Sequence, residues 1–257
     1  MTVLITGASS GIGEALALAS AARGDRLFLC GRNAERLAAV AARCRAAGAA
    51  GVDAQTLDVT DVERVRQWLE ACEAASPLER VFSNAGIGTG IEDEANVRRT
   101  WATNVGGNLN VVLPVIEIFR RRPKAALRQI VITASIAGYG PLASCPAYSG
   151  TKAAMKTWGL ALRGMLRPEG IRVNVVCPGF VRSRITDRNT CPMPFFMEAD
   201  RAARIILARA DRNVGLIAFP WPMRLATWAL SILPFRANEW INALLPAKTA
   251  DRAPTPF

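Results

Sequence analysis

Short apolar runs alternate with longer amphipathic stretches along most of the chain. The short runs predict buried strands, while several of the longer stretches begin at Asn or Asp and stop at glycine, as helices do. The predicted strands are 2–6, 26–30, 52–57, 80–84, 127–134, 172–176 and 214–219. The predicted helices are 12–23, 33–47, 61–75, 92–121, 147–166 and 198–210.

A strand followed by a helix, repeated about six times, predicts a parallel sheet with helices on both faces and right-handed crossovers. No linker, internal repeat or low-complexity segment interrupts residues 1–183. We therefore expect one α/β domain of three layers, in which a doubly wound, mostly parallel sheet lies between two layers of helices.

Composition removes several kinds of chemistry. The 257 residues include no histidine, which excludes Ser-His-Asp and Cys-His catalysis and every histidine-containing metal site. None of the six cysteines, of which Cys191 is the last, forms a C-x-x-C pair, so neither a zinc knuckle nor a dithiol redox motif is encoded. We predict no metal site, and reduced thiols of this kind are typical of a cytoplasmic protein.

The net charge of +11 raises the question of a nucleic-acid partner. The basic residues are spread along the whole chain, whereas nucleic-acid-binding proteins concentrate charge on one face and interleave aromatic residues. We expect no nucleic-acid partner and interpret the charge as a bias toward anionic ligands or surfaces. A predicted strand opens the sequence with no signal-peptide pattern before it, which also favours a cytoplasmic location.

A glycine-rich turn joins the first predicted strand to the first predicted helix, and residues 6–13 read T-G-A-S-S-G-I-G. Glycines in this place allow a tight turn and a close approach of the backbone to a pyrophosphate. The helix that follows supplies free N–H groups and the positive end of its dipole. The alternative is a glycine-rich turn that binds nothing.

This turn resembles the opening of the short-chain dehydrogenase/reductase family, and the resemblance extends over about residues 1–183. The further motifs that match the family are Asp58-Val59, Asn84-Ala85-Gly86, Asn104-Val105-Gly106-Gly107, Ser135, Tyr148 with Lys152 as Y-x-x-x-K, and Pro178-Gly179. Two positions depart from the usual pattern. Ser183 replaces a frequent threonine but keeps the hydroxyl, and Gly150 lies inside Y-x-x-x-K without changing its ends.

The resemblance implies a Rossmann-type sheet of strand order 3-2-1-4-5-6-7 and a catalytic group made of Asn104, Ser135, Tyr148 and Lys152. A spacing of four places Tyr148 and Lys152 on one helix face. A phenol has a pKa of about 10, and we expect the nearby ammonium to lower it so that Tyr148 can exchange a proton with an alcohol or carbonyl oxygen. Lys152 would also hold the nicotinamide ribose, Ser135 would orient the substrate oxygen, and Asn104 would anchor a water that completes a proton path.

Arg32 favours NADP(H) over NAD(H). Gly31 stands where an NAD-dependent relative would carry an acidic residue for the ribose 2′-hydroxyl, and it does not repel a 2′-phosphate. The guanidinium of Arg32 can pair with that phosphate, although Arg32 as an ordinary solvated loop residue is the alternative. The residues expected to contact the cofactor are Gly7, Ser9, Ser10, Gly11, Ile12, Gly13, Arg32, Asp58, Val59, Asn84, Ala85, Gly86, Tyr148, Lys152, Pro178, Gly179, Val181 and Ser183.

Residues 184–213, after the sixth strand, are expected to be the substrate lid by family resemblance. This region contains Met193, Phe195, Phe196 and Met197, which favour an apolar substrate, unless these side chains simply cover the core.

Residues 220–257 form an apolar extension with a predicted helix at 223–233, which is too short to span a bilayer. Two alternatives stay open for this region. The helix packs on its own domain or on another subunit, or residues 219–236 make peripheral contact with a membrane. The resemblance further implies a homodimer or homotetramer, commonly paired through the two helices that carry Asn104 and Tyr148.

These observations predict an NADP(H)-dependent oxidoreductase that interconverts a carbonyl and an alcohol on an apolar small molecule, with Tyr148 as the general acid/base. The alternative from another class is a non-catalytic protein that binds NADP(H) as a sensor or scaffold.

Overall fold

The computed structural model describes residues 1–187 and 192–244. Its seven parallel strands form one sheet in the order β3-β2-β1-β4-β5-β6-β7, which confirms the predicted order. The strands are β1 (Thr2–Thr6), β2 (Arg26–Gly31), β3 (Gly51–Thr56), β4 (Arg80–Ser83), β5 (Gln129–Thr133), β6 (Arg172–Pro178) and β7 (Leu216–Phe219).

Helices cover both faces of this sheet, as the alternating pattern predicted. The helices of the described residues are α1 (Gly11–Ala21), α2 (Ala34–Ala46), α3 (Val62–Ala75), α4 (Glu94–Trp101), α5 (Gly107–Arg120), α6 (Pro146–Leu166), α7 (Ala199–Asp211), α8 (Trp221–Ile232) and α9 (Phe235–Leu244). On one face, α1, α2 and α7 contribute Leu16, Leu37 and Ile206 to a buried apolar cluster. On the other face, α3, α5 and α6 contribute to a second cluster. The domain is therefore the predicted sandwich of three layers.

The predicted capping residues begin their helices. The side chain of Asn33 accepts a hydrogen bond from the backbone N–H of Arg36 at 2.8 Å, and Asp61 does the same for Arg64 at 3.1 Å. Each side chain satisfies one of the N–H groups that the first turn of a helix leaves without a backbone partner.

The long predicted helix 92–121 is divided in the structure. It comprises α4, a π-helical turn over residues Ala102–Gly106, and α5. Gly107 begins α5 at a close approach to the chain after β3, where a β-carbon on Gly107 would lie 2.5 Å from a methyl carbon of Val59. Wide π-turns of this kind are frequent at functional sites, and this one carries Asn104.

Part of the predicted lid belongs to the packed domain. The helix α7, which lies inside the range 184–213, buries Ala203 and Leu207 in the same cluster as α1. Cys191, which lies in the predicted lid, and residues 245–257 of the predicted extension lie outside the described residues.

Candidate active site

The glycine-rich turn leaves the carboxyl end of β1 in a conformation that needs its glycines. Gly7 has a φ of 68° and Gly11 a φ of 59°, in the left-handed region that favours glycine. A β-carbon on Gly13 would lie 2.2 Å from the carbonyl oxygen of Gly7, which no side chain tolerates. The turn therefore presents bare backbone at the amino end of α1, where N–H groups and the helix dipole favour a bound anion.

The segment after β4 packs directly against this turn. The hydroxyl oxygen of Thr6 accepts hydrogen bonds from the backbone N–H groups of Asn84 at 3.0 Å and Ala85 at 3.1 Å. The side chain of Asn84 donates to the carbonyl of Thr6 at 3.2 Å and accepts from the hydroxyl of Thr133 at 3.2 Å. These bonds join the carboxyl ends of β1, β4 and β5, which is the edge at which doubly wound sheets bind ligands.

The chain beyond β6 approaches the turn from the other side. A β-carbon on Gly11 would lie 2.9 Å from the β-carbon of Ser183. Ser183 is held in place because its backbone N–H donates to the hydroxyl of Thr186 at 2.8 Å. Val181 pairs with Met197 in an isolated parallel bridge, which returns the following loop to the end of β6. The structure thus brings Ser183, one of the residues expected to contact the cofactor, to the glycine turn.

Tyr148, Ser135 and Lys152 meet where α6 passes the end of β5. The hydroxyls of Tyr148 and Ser135 are hydrogen-bonded to each other. The hydroxyl oxygen of Ser135 also accepts from the backbone N–H of Ala137 at 3.1 Å, which fixes its position. The ammonium of Lys152 donates to the carbonyl of Thr133 at 3.0 Å and lies 5.7 Å from the centroid of the Tyr148 ring. The predicted spacing therefore does place both side chains on one face of α6.

Asn104 lies beside this group, fixed by the chain after β4. Its side-chain amide donates to the carbonyl of Ile87 at 2.9 Å, and its oxygen accepts from the N–H of Ile87 at 2.7 Å. Gly86 fits between the two polar groups, because a β-carbon there would lie 3.2 Å from the Asn104 oxygen and 3.3 Å from the Lys152 nitrogen. The structure thus brings together the four side chains, distant in sequence, that the family resemblance grouped.

Comparison with known proteins agrees with this arrangement. The family model described as short chain dehydrogenase matches residues 1–192. An uncharacterized oxidoreductase of Myxococcus xanthus (strain DK1622) is 37% identical over 241 residues, which are 91% of this chain and 92% of the relative. The chain belongs to the short-chain dehydrogenase/reductase family. It is accordingly an oxidoreductase of the Rossmann-like fold.

Two solved structures of the same family resemble this protein over nearly its whole length. A short-chain dehydrogenase from Sphingobium yanoikuyae, in complex with NADPH, is 29% identical with a TM-score of 0.79, and the match covers 98% of this chain and 99% of that one. The bulky-bulky ketone specific alcohol dehydrogenase from Comamonas testosteroni is 27% identical with a TM-score of 0.75, covering 95% of this chain and 91% of that one.

The pKa of Tyr148 in this short-chain dehydrogenase/reductase differs in direction from the sequence-based expectation. Burial raises the pKa of Tyr148 to about 12, and the hydrogen bond with Ser135 only partly opposes that effect. Burial also lowers the pKa of Lys152 to about 8. The expectation that Lys152 lowers the phenol pKa was wrong for the chain's own groups, because desolvation disfavours both charged forms. At neutral pH Tyr148 is a neutral phenol, which can donate a proton.

Arg32 lies at the end of β2, where the prediction placed it. Its guanidinium is 3.8 Å from the carboxylate of Asp58, and both side chains are substantially exposed. A β-carbon on Gly31 would lie 3.0 Å from the hydroxyl oxygen of Ser9, so the glycine turn and the end of β2 adjoin. At this corner of the site, the exposed guanidinium of Arg32 therefore lies next to a backbone position, Gly31, that carries no side chain.

Two arginines that influence each other were not singled out by the sequence reasoning. The pKa of Arg36 is lowered, first by burial and next by the positive charge of Arg184. Arg36 follows the cap of α2, and Arg184 follows Ser183, so the two come from segments far apart in sequence. Their proximity adds positive charge at this place, and the sequence carries no signal for the pair beyond their neighbours in the motifs.

The apolar residues of the predicted lid separate into two groups. Met197 is buried and belongs to the cluster that contains α7, so it covers the core. Phe195 and Phe196 are exposed, and the guanidinium of Arg182 lies 5.3 Å from the centroid of the Phe196 ring. Met193 is half-buried. Met197 therefore covers the core, while a lid role for the exposed Phe195 and Phe196 stays a prediction.

Proposed function

We infer that this protein is an NADP(H)-dependent oxidoreductase that interconverts a carbonyl and an alcohol on an apolar substrate. The observation that carries the proposal is the meeting of Tyr148, Ser135 and Lys152 beside a glycine turn that requires bare backbone. The three side chains can take a proton from an alcohol or give one to a carbonyl oxygen. The glycine turn can hold a pyrophosphate.

The residues present fit a dinucleotide, because β-carbons on Gly7, Gly11 and Gly13 would fill the cradle. When bound, the nicotinamide supplies the hydride chemistry that no side chain of this protein can perform. The glycine turn from Gly7 to Gly13, including Ser9, Ser10 and Ile12, would hold the pyrophosphate, and Asp58 with Val59 would lie beside the adenine. The chain segments Asn84–Gly86 and Pro178–Ser183, including Gly179 and Val181, would border the nicotinamide half.

In reduction, Ser135 and Tyr148 together hold the substrate oxygen by hydrogen bonds, which polarises the carbonyl. The Tyr148 hydroxyl gives its proton to that oxygen as negative charge develops there, and in oxidation the proton returns to the tyrosine oxygen. Lys152 would bind the ribose hydroxyls, and its ammonium, 5.7 Å from the centroid of the Tyr148 ring, would offset part of the burial that disfavours the tyrosinate. Asn104, fixed on the backbone of Ile87, orients the water through which Lys152 exchanges protons with solvent.

The preference for NADP(H) over NAD(H) rests on the cationic corner of the site. Arg32 would pair with the 2′-phosphate beside Gly31, and Arg36 and Arg184 add positive charge near the same turn. The Sphingobium relative in complex with NADPH supports this assignment by similarity.

The apolar nature of the substrate rests on the exposed side chains of Phe195 and Phe196 near the end of β6. The described part of residues 184–213 before α7 would close over the substrate as a lid. The Comamonas relative, a bulky-bulky ketone specific alcohol dehydrogenase, supports a bulky carbonyl compound by similarity.

Oligomerisation as a homodimer or homotetramer in the cytoplasm is part of the same proposal. The outer faces of α5 and α6 expose Leu113 and Met165, which together line a shallow cavity. Exposed apolar side chains on neighbouring helices favour pairing of two subunits through this surface.

A substrate screen tests the proposed function. The full chain is incubated with NADPH and a panel of aldehydes and ketones, and with NADP⁺ and secondary alcohols, while nicotinamide absorbance is followed. We expect turnover that falls by about 10²–10⁴-fold in Tyr148→Phe, with NADPH binding retained. Tyr139→Phe is the matched control, because Tyr139 is the other of the two tyrosines in the chain. Binding of NADPH without turnover across the whole panel would favour a sensor or scaffold instead.

A further inference from the structure

The helix α8 presents a row of large apolar side chains to solvent. Trp221, Leu225, Trp228 and Ile232 are 74%, 54%, 50% and 63% exposed. Their spacing of four, three and four residues places all of them on one face of the helix. A continuous exposed row of this size is unusual for a soluble surface and marks a site of interaction.

The domain holds α8 by its other side. Met223, Thr227 and Leu230 are half-buried, and no residue of α8 is fully buried. The sulfur of Met223 lies 3.1 Å from the place where a β-carbon of Gly179 would stand, so the helix rests on the chain beyond β6. The exposed row therefore contributes little to the packing of the domain.

A groove runs between this row and the edge of the sheet. It has a volume of about 500 Å³ and is lined by Tyr139, Leu216, Trp221, Arg224, Leu225 and Trp228. The walls are aromatic and aliphatic, and a guanidinium lies among them. An acyl chain matches the walls, and a phosphate matches the guanidinium.

The charge along this part of the chain distinguishes between partners. Between Asp211 and Glu239 the sequence contains no acidic residue, and it contains Arg212, Arg224 and Arg236. A symmetric contact between two copies would place this positive segment against itself, where like charges repel. A bilayer with anionic lipids instead attracts basic residues and accepts tryptophan at its interface.

We propose that α8 docks the protein onto an anionic membrane surface, with Trp221, Leu225, Trp228 and Ile232 inserted among the lipids. In the described part of the chain, the helices are all too short or too polar to cross a bilayer. The contact is therefore one in which α8 lies in the plane of the interface, with Arg224 at the level of the phosphates. This inference does not depend on the oxidoreductase activity.

Vesicle co-sedimentation of the full chain tests the proposal. Vesicles of phosphatidylcholine alone are compared with vesicles that also contain phosphatidylglycerol, at low and high salt. We expect binding to the anionic vesicles, weakened by salt, together with a blue shift of tryptophan emission. In the double variant Leu225→Glu/Trp228→Glu, the apparent affinity should fall by at least about tenfold, because two apolar anchors are replaced by anions.

Matched controls separate docking from general effects. Val62→Glu adds one negative charge, half of the change in the double variant, at a side chain that is 61% exposed on α3, and it should bind like the wild type. Arg224→Gln should weaken binding to anionic vesicles more than Arg98→Gln, whose side chain is also exposed. Circular-dichroism melts verify that each variant is folded. The proposal is overturned if the folded wild type does not bind anionic vesicles at low salt, or if the double variant binds as Val62→Glu does. It is also overturned if the double variant changes only the oligomeric state measured by light scattering, which would identify a second copy as the partner.

Discussion

The carboxylate of Glu92 accepts hydrogen bonds from the backbone N–H of Ala147, at 3.1 Å and 3.3 Å from its two oxygens. Ala147 lies in the first turn of α6, immediately before Tyr148. The loop after β4 thus supplies a negative charge to the amino end of the helix that carries Tyr148 and Lys152, where the helix dipole favours it. A contact of this kind positions the helix without touching the reacting atoms.

Removing the Glu92 carboxylate should loosen the start of α6. We expect Glu92→Ala to lower the free energy of unfolding by about 1 kcal/mol, as loss of a helix cap does, and to reduce kcat more than it raises the KM for NADPH. Glu92→Gln, which keeps an acceptor oxygen, should recover most of both losses. Chemical denaturation and steady-state kinetics measure the two effects. Glu94→Gln is the control, because Glu94 is exposed and pairs only with Arg98 among the contacts described. Equal behaviour of Glu92→Ala and this control would contradict the positioning role.

Lys152 gives stability a predictable dependence on pH. Its folded-state pKa of about 8 lies below the ordinary 10.5, because burial disfavours the ammonium. Below pH 8 both the folded and the unfolded chain hold the proton, and the cost of the buried charge is fully present. Between about pH 8 and 10.5 the unfolded chain binds more protons, so this cost diminishes as the pH rises.

Lys152→Met should therefore raise Tm by a few degrees at pH 7 while abolishing turnover. The difference in Tm between the variant and the wild type should narrow as pH rises from about 8 toward 10.5. Scanning calorimetry over this range measures the difference directly. A wild type that is the more stable of the two at pH 7, or a difference that is constant with pH, would show that Lys152 is not buried as an ammonium.

Cofactor selectivity provides a test of the cationic corner. If Arg32 pairs with the 2′-phosphate, Arg32→Glu should lower kcat/KM for NADPH relative to NADH by roughly 10–100-fold, the value of a lost charge-assisted hydrogen bond. Arg98→Glu changes the same charge at an exposed side chain on α4 and should leave the ratio unchanged. A wild type that already prefers NADH would refute the assignment.

The glycine turn provides a steric prediction. Gly13→Ala would place a β-carbon 2.2 Å from the carbonyl oxygen of Gly7, so we expect loss of NADPH binding and a lower Tm. Gly164→Ala adds the same methyl group to α6 in open space, and there it should stabilise the protein by up to about 1 kcal/mol. Calorimetric titration with NADPH and thermal melts of both variants measure the contrast. Unimpaired NADPH binding by Gly13→Ala would mean that the turn does not approach the cofactor.

The sequence by itself determined the order and type of the elements and the motifs at their ends. Runs of apolar residues between glycine and capping signals depend on local chemistry, so β1 to β7 and caps such as Asn33 and Asp61 could be predicted. Glycine spacing and the four-residue interval from Tyr148 to Lys152 are likewise local, which is why these site residues could be grouped by their positions along the chain.

Only the tertiary structure decided which contacts form between segments that are distant in sequence. It brought Glu92 to α6 and Arg184 to Arg36, and it divided the helix around Asn104 where Gly107 meets Val59. It also reversed the expected direction of the Tyr148 pKa, and it turned the apolar row of α8 outward. The physical reason is that desolvation, like-charge proximity and exposure depend on what packs around a side chain, and the spacing of residues along the chain does not contain that information.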